Sequence, residues 1–229
     1  FMLYVHMMDA HQYLSDEESA VFGTTYSDLY DNSIHWTDRQ IAAILDALEH
    51  FGLREKTLVV IASDHGEAFQ EHGNEGHAKD LHREVARTPW IVSLPFSLDQ
   101  PVVVDAMSEN VDIWPTIFDL PGEIPMDSAD GRSRLPEILE AAGASQDGIV
   151  PEPRPSYAQL DRSWGKASVA PENLIAVTVG DWRYMRGFGK RGGAKLYDTG
   201  ADPLEKKDLL AEGGVPLDLQ EFDALIDTY

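Results

Sequence analysis

The chain opens on a continuous apolar run, Phe1 to Met8, interrupted only by His6 and stopped at Asp9. A run without alternation predicts a strand covered on both faces that ends in a polar loop, and it assigns His6 to the core. Thr57 to Ala62 repeats the design and stops at Ser63-Asp64-His65-Gly66, and Trp90 to Leu94 is a third run, closed by Pro95. Between the first two, Tyr26, Tyr30, Ile34, Ile41, Ile44, Leu45 and Leu48 recur at helical spacing, with Gly52 placed to end the helix. Strand, helix, strand predicts a βαβ unit and therefore a mostly parallel sheet, whose ligands lie beyond the carboxyl ends of its strands. Asp9, His11, Asp64 and His65 all fall at that edge.

Further on, Ser108 is expected to cap a helix running to Phe118, with a kink at Pro115. Gly122, Pro125, Gly131, Pro136, Pro151, Pro153 and Pro155 then punctuate a loop-rich stretch around one amphipathic segment, Leu135 to Ala142. The pattern changes after it. Leu174 to Val179 and Trp182 to Phe188 flank Gly180-Asp181, a hairpin signal; Lys195 to Asp198 reads as a third strand, and Leu219, Phe222, Leu225 and Ile226 share one helical face. The organisation expected is an α/β part over 1–125, a connector over 126–156 and a small antiparallel α+β subdomain over 157–229.

Composition narrows the function classes. A net charge of −22 excludes electrostatic binding of nucleic acid or of an anionic membrane. The absence of cysteine excludes a disulfide scaffold, a thiolate metal site and a cysteine nucleophile within these residues, and it leaves the compartment open. No apolar run approaches the ~20 residues of a membrane helix. A chain that begins inside an apolar run, without an initiator methionine, is expected to be a piece of a longer protein.

The chemistry concentrates early. All eight histidines precede residue 83, and His65, His72, His77 and His82 share one short window. Asp64-His65 offers a carboxylate and an imidazole on adjacent residues, and Gly66 lets the backbone turn so that both face one cation. Taken alone, Asp-His-Gly is more often a strand-end aspartate capping a turn. Asp9 either supports the site from behind or caps its own strand end. Glu67, Glu71 and Glu75 at four-residue spacing predict a solvated helical face, and His72 and His82 are expected at the surface.

In chain order, FMLYVHMMDAHQY, YDNSIHWTDRQIAAILDAL, TLVVIASDHGEAFQEHG with GHAKDLHREVARTPWIVSLP, VVVDAMSENVDIWPTIFDLPG, and GDWRYMR with AKLYDTGADPLEKKDLL resemble successive segments of the sulfatase family of the alkaline phosphatase superfamily. The resemblance implies an α/β alkaline-phosphatase-like fold and metal-dependent hydrolysis of sulfate esters, the substrate being a small molecule or a glycan. It implies that Asp64 and His65 ligate a divalent metal, Ca2+ as in most sulfatases or Mn2+ or Zn2+ as in phosphoryl-transferring relatives. His11 would meet the ester or its leaving oxygen. His77 would also contact substrate, at a position that holds Lys in many sulfatases and phosphonate ester hydrolases but His in phosphoethanolamine transferases. One of the two would be the general acid, because a departing alkoxide needs a proton from a group that titrates near neutrality.

The family's nucleophile is a formylglycine made from Cys or Ser in Cys/Ser-x-Pro-x-Arg, or a Ser or Thr in relatives, and no such motif occurs here. The resemblance thus implies the later half of a site and a chain that is inactive by itself. The alternatives are a phosphonate or phosphate ester hydrolase, a phosphoethanolamine transferase, and a non-catalytic acidic binding module.

Overall fold

A computed structural model describes residues 1–122, 128–144, 154–163, 170–189, 192–214 and 217–229. Pro125, and Pro151 and Pro153 of the expected connector, lie outside them. The strands are β1 (Val59–Ala62), β2 (Ala68–Phe69), β3 (Glu75–Gly76), β4 (Trp90–Ser93), β5 (Ser156–Asp161), β6 (Asn173–Val179), β7 (Trp182–Gly187) and β8 (Gly193–Asp198). The helices are α1 (Tyr26–His50), α2 (Arg83–Ala86), α3 (Ile113–Asp119), α4 (Leu135–Ala141), α5 (Leu209–Glu212) and α6 (Leu219–Thr228). They fall into two compact units, Phe1–Ala62 with Pro89–Leu98, and Ser63–Thr88 with Asp99–Tyr229.

The first unit is built on α1. The Thr25 hydroxyl accepts from the Asp28 amide and the Asp28 carboxylate accepts from the Thr25 amide, so two of the donors that a helix start leaves over are satisfied. The helix stops where expected, with Gly52 at φ +65° just beyond the Phe51 cap. β1 and β4 pair in antiparallel register, Val59 opposite Ser93 and Ala62 opposite Trp90. The Arg54 guanidinium ties their ends, donating to the Ser93 hydroxyl and to the Leu94 carbonyl at 3.1 Å.

Two expectations are corrected in this unit. Phe1 to Met8 forms no strand, and Phe1 to Val5 are exposed, as is His6, which is therefore no core residue. An apolar run specifies burial, whereas a strand also needs a neighbour to bond its amides and carbonyls, and none pairs with this run among the described residues. Likewise the βαβ unit expected from Phe1 to Met8, α1 and Thr57 to Ala62 does not form among the described residues, and β1 pairs with β4, antiparallel. A parallel return needs a crossover of a dozen or more residues, usually helical, and Ser63–Thr88 holds only the one-turn helix α2 and brings the chain back in the opposite sense.

In the second unit β5, β6, β7 and β8 form one antiparallel sheet in sequence order. Alternation sorts its side chains: Ile175, Val177, Tyr184 and Leu196 are buried with Phe222 and Ile226 of α6, while Ala176, Met185 and Tyr197 are buried with Leu81. The Gly180-Asp181 hairpin, β8, α4 and α6 match their sequence patterns; β5, facing β6 from Ser156 opposite Thr178 to Asp161 opposite Asn173, had no such forecast. A 3₁₀ turn over Asn110–Asp112 leads into α3, and its cap is a reciprocal Glu109–Asp112 box where Ser108 was expected. Pro115 brings no kink, since it sits in the first turn of α3, where amides have no helical acceptor anyway. Asp112 is fully buried: Arg134 reaches its carboxylate through Nε at 2.7 Å and Nη2 at 2.5 Å, and the Arg132 amide donates to it at 2.8 Å.

Candidate functional site

Asp64 and His65 follow β1 directly in the chain. The turn they occupy is held from several sides: Ser63 Oγ donates to the His65 carbonyl at 2.6 Å, and Asn110 Nδ2 donates to the carbonyls of Ser63 and Asp64, both at 3.2 Å. Gly66 is required by space, because a Cβ there would lie 2.1 Å from the Glu84 carbonyl oxygen; its amide donates instead to Val85 at 2.7 Å.

The tautomer of His65 follows from its neighbour. Nδ1 lies 2.8 Å from the Gly66 carbonyl, and a carbonyl only accepts, so Nδ1 carries the proton and Nε2 the lone pair. Nε2 is 3.8 Å from Asp64 Oδ2, a separation that two ligands of one divalent ion span when each lies ~2.0–2.4 Å from it. Asp64 is exposed and His65 partly so. The residues therefore fit a cation in three respects: a carboxylate oxygen, an imidazole lone pair, and a backbone bond that fixes the ring.

β2 and β3 form a two-stranded ribbon with Ala68 opposite Gly76 and Phe69 opposite Glu75. One step beyond the Ala68–Gly76 pair, the ribbon sets Glu67 opposite His77. The Glu67 carboxylate, only 8% exposed, is 2.8 Å from His77 Nδ1. His77 in turn stacks on His65, ring centroids 4.2 Å apart and planes inclined by 29°. This corrects the expectation of a helical face over Glu67, Glu71 and Glu75: the three lie on a tight ribbon, and Glu67 points inward.

His65, Glu67 and His77 bring ligand atoms within 4.8 Å of one another, as do His72, His82 and Glu84. The rings limit what either group can hold. A metal sits ~2 Å from an imidazole nitrogen and in the ring plane. His72 and His82 stack at 3.8 Å with planes 3° apart, so no point lies in both planes. The His65 and His77 planes, stacked at 29°, converge too far from the rings for a shared ion. The geometry thus divides His65, with Asp64, from His77.

The expectation that His72 and His82 lie at the surface is overturned, for His82 is 2% exposed and His72 largely buried. His72 Nε2 donates to the Glu205 carbonyl at 2.7 Å and Nδ1 meets the Glu84 carboxylate at 2.7 Å. Around His82 stand Tyr197, whose hydroxyl is 3.2 Å from Nε2, and Asp80, 3.2 Å from Nδ1. Burial would raise the Asp80 carboxyl, but hydrogen bonds from His82 and Asn74 outweigh it and hold it down to about 2. Burial, with Asp208 and Glu205 nearby, pushes the Tyr197 phenol up, so it keeps its proton beside His82.

His11 belongs to the first unit, on an exposed turn whose Leu14 amide returns to the Asp9 carbonyl at 2.9 Å. Asp9 in that turn accepts from Trp36 Nε1 of α1 at 2.9 Å. Asp64, His65 and His77 belong to the second unit. Sequence reading put Glu67 on a solvated face and missed Asn110. For Glu67 a signal existed, since Gly66, Gly73 and Gly76 disfavour a helix across that stretch.

The sulfatase family model matches residues 1–123. Arylsulfatase K of Gallus gallus is 28% identical over 193 residues, which are 83% of this chain and 34% of that protein. Choline-sulfatase of Rhizobium meliloti (strain 1021) is 26% identical over 201 residues, 86% of this chain and 36% of that protein. The chain thus spans about a third of the length of the curated relatives it matches. Among solved structures, one in complex with its substrate D-glucosamine-2-N,6-O-disulfate superposes with a TM-score of 0.71 at 23% identity, covering 89% of this chain and 40% of that one. The phosphonate monoester hydrolase of Agrobacterium radiobacter gives 0.59 at 24% identity, over 81% and 37%. The fold is therefore the α/β, alkaline-phosphatase-like fold of these proteins.

Proposed function

The chain belongs to the sulfatase family, and from that premise we propose that it carries the metal-holding and substrate-contacting later part of a sulfate-ester hydrolase active site. The observation that carries the reading is the Asp64–His65 pair, whose carboxylate and lone-pair nitrogen lie at ligand spacing on one turn. A divalent cation bound there would supply positive charge to a sulfate oxygen. Calcium is the ion the family favours, and the imidazole of His65 leaves room for manganese or zinc. A sulfated small molecule or glycan is the proposed substrate, supported by the sulfated glucosamine in the solved relative.

This chain's residues supply proton management and orientation. His77, outside the Asp64–His65 pair, is assigned to the ester oxygens, and His11 is assigned there by its motif. Either imidazole can protonate a departing oxygen near neutral pH. No residue here is assigned as nucleophile.

The test is metal content and turnover measured together in an active protein carrying this chain. Asp64→Ala or His65→Ala is expected to lower both; full metal occupancy in the two variants would remove them from the ion. His11→Ala or His77→Ala should keep the metal and cost about 100-fold or more in turnover if the residue is the acid. The loss should be smaller on an activated aryl sulfate, and equal losses on activated and unactivated esters would refute the acid role. A second reading, a phosphonate or phosphate ester hydrolase, is supported by the phosphonate monoester hydrolase among the solved structures that share the fold. Faster turnover of an aryl phosphate or phosphonate than of the aryl sulfate decides for it. Absence of turnover on all of these, with metal bound, leaves the non-catalytic acidic module.

A further inference from the structure

Glu67 has no part in the proposed reaction, yet it is the most enclosed carboxylate beside the site. Its side chain is 8% exposed against 80% for Asp64. It does not sit near His77 by accident of a flexible loop. The β2–β3 register sets the two residues opposite each other, and Ala68, 1% exposed, anchors the ribbon next to Glu67. The ring planes of His65 and His77 exclude one ion shared by both. Glu67 is therefore bonded to an imidazole that does not share the metal with His65, and an ionised carboxylate in that position can only accept.

We propose that Glu67 is the positioning residue of His77: it accepts the Nδ1 proton, fixes the ring's rotation and tautomer, and confines proton exchange with the ester to Nε2. The inference rests on the reading of His77 as a substrate-contacting residue. In the step itself an oxygen nucleophile adds to sulfur, the ester S–O bond breaks with its electron pair going to the departing oxygen, and that oxygen takes the Nε2 proton. His77 is left neutral with Nδ1–H still on Glu67, so the ring has no need to turn over between proton loss and recovery. An imidazole with Nδ1 unheld would divide its neutral population between two tautomers, only one of which keeps Nε2 as the reacting nitrogen.

The tautomer can be read without turnover, by nitrogen NMR of the intact chain with labelled histidine, His77→Gln identifying the signal. In the wild type His77 is expected as the Nδ1–H form. Glu67→Met, which keeps bulk and removes the acceptor, should shift it towards Nε2–H; Glu67→Gln, whose carbonyl can still accept, should restore Nδ1–H with a weaker bond and an upfield proton. Where the Met variant does not fold, the Gln proton shift decides alone, and an unmoved proton overturns the proposal. So does a wild-type ring in the Nε2–H form, or a His77 Nδ1 that loses its proton when calcium, manganese or zinc is added, since it is then a ligand. In an active protein carrying this chain, Glu67→Met should lower kcat on an unactivated sulfate ester at least ~10-fold with KM little changed, and Glu67→Gln should recover most of it. If His77→Ala leaves turnover intact, the substrate-contact reading fails and takes the catalytic role of Glu67 with it. If His77→Ala is crippled while Glu67→Met is unchanged in tautomer and kcat, only the inference on Glu67 fails.

Discussion

The two units differ in what they place inside. In Phe1–Ala62 with Pro89–Leu98, the buried residues are Ser19, Asn32 and Ser33, all polar, while Phe1, Leu3, Val5, Ile34 and Ile91 are exposed. In Ser63–Thr88 with Asp99–Tyr229, two apolar clusters line the two faces of one sheet, and charged side chains are buried in pairs. The difference lies in the strand patterns. Strands of the second unit alternate, and each face finds a partner within the unit. The runs of the first unit are apolar on both faces, and the residues described leave each face only partly covered.

The largest expected effect uses buried charge. Arg134→Met removes the buried cation that the Asp112 and Glu137 carboxylates share and leaves them only the more exposed Arg154 and Arg132, and should cost about 3–5 kcal/mol in urea denaturation. Arg39→Met in the first unit faces the half-exposed Asp16 and the exposed Glu18 and should cost under about 1 kcal/mol. Equal costs would break the contrast. Next, Leu196→Ala should lose about 2–5 kcal/mol and Ile91→Ala, 54% exposed, well under about 1. Amide exchange read separately in β7 and β1 would show it.

Acid gives the third comparison. Asp80 is held to about 2 in the folded chain against 3.8 otherwise, so its contribution is complete above about pH 4 and is lost as pH falls through 2. About 2 kcal/mol should leave the second unit over that window, and Asp80→Asn should flatten the loss. Asp112, also held low despite burial by bonds from the Arg132 and Glu109 backbone and from Arg134, adds in the same direction. The smallest effect on stability belongs to Leu3→Ser with Val5→Thr, within about 0.5 kcal/mol, together with reduced binding of a hydrophobic dye. A large loss of stability there would mean that the first unit buries what it is described as exposing.

The same contrast explains what was legible. The period of α1 and the alternation of β6, β7 and β8 are local properties and were readable. Whether Phe1 to Met8 pairs is a property of a neighbour, and no pattern within the run carries it. β5 was hidden because Ser156 to Asp161 follows a cluster of prolines and alternates weakly. Asp64 and His65 were legible as a pair because adjacency brings their side chains together. His72 and His82 were misplaced because their partners, Glu205 and Tyr197, lie more than 110 residues further on. Glu67 was misread because its spacing to Glu71 and Glu75 was weighed and the three glycines around them were not.

The β2–β3 ribbon makes length, and not composition, the quantity that mutation must respect near the site. Its turn is closed by the Gln70 amide donating to Asn74 at 2.8 Å and the Gly73 amide donating to Gln70 at 3.1 Å, with Gln70 and Gly73 both at positive φ. Polar exchanges that tolerate such backbone angles leave Glu67 facing His77. A single inserted or deleted residue between 69 and 75 slides one strand past the other and turns alternate side chains to the opposite face, so the acceptor and the imidazole separate at once. Gene libraries made by shuffling substitutions through this loop should therefore be rich in folded members with an intact dyad, and libraries of one-residue gaps should be poor in them.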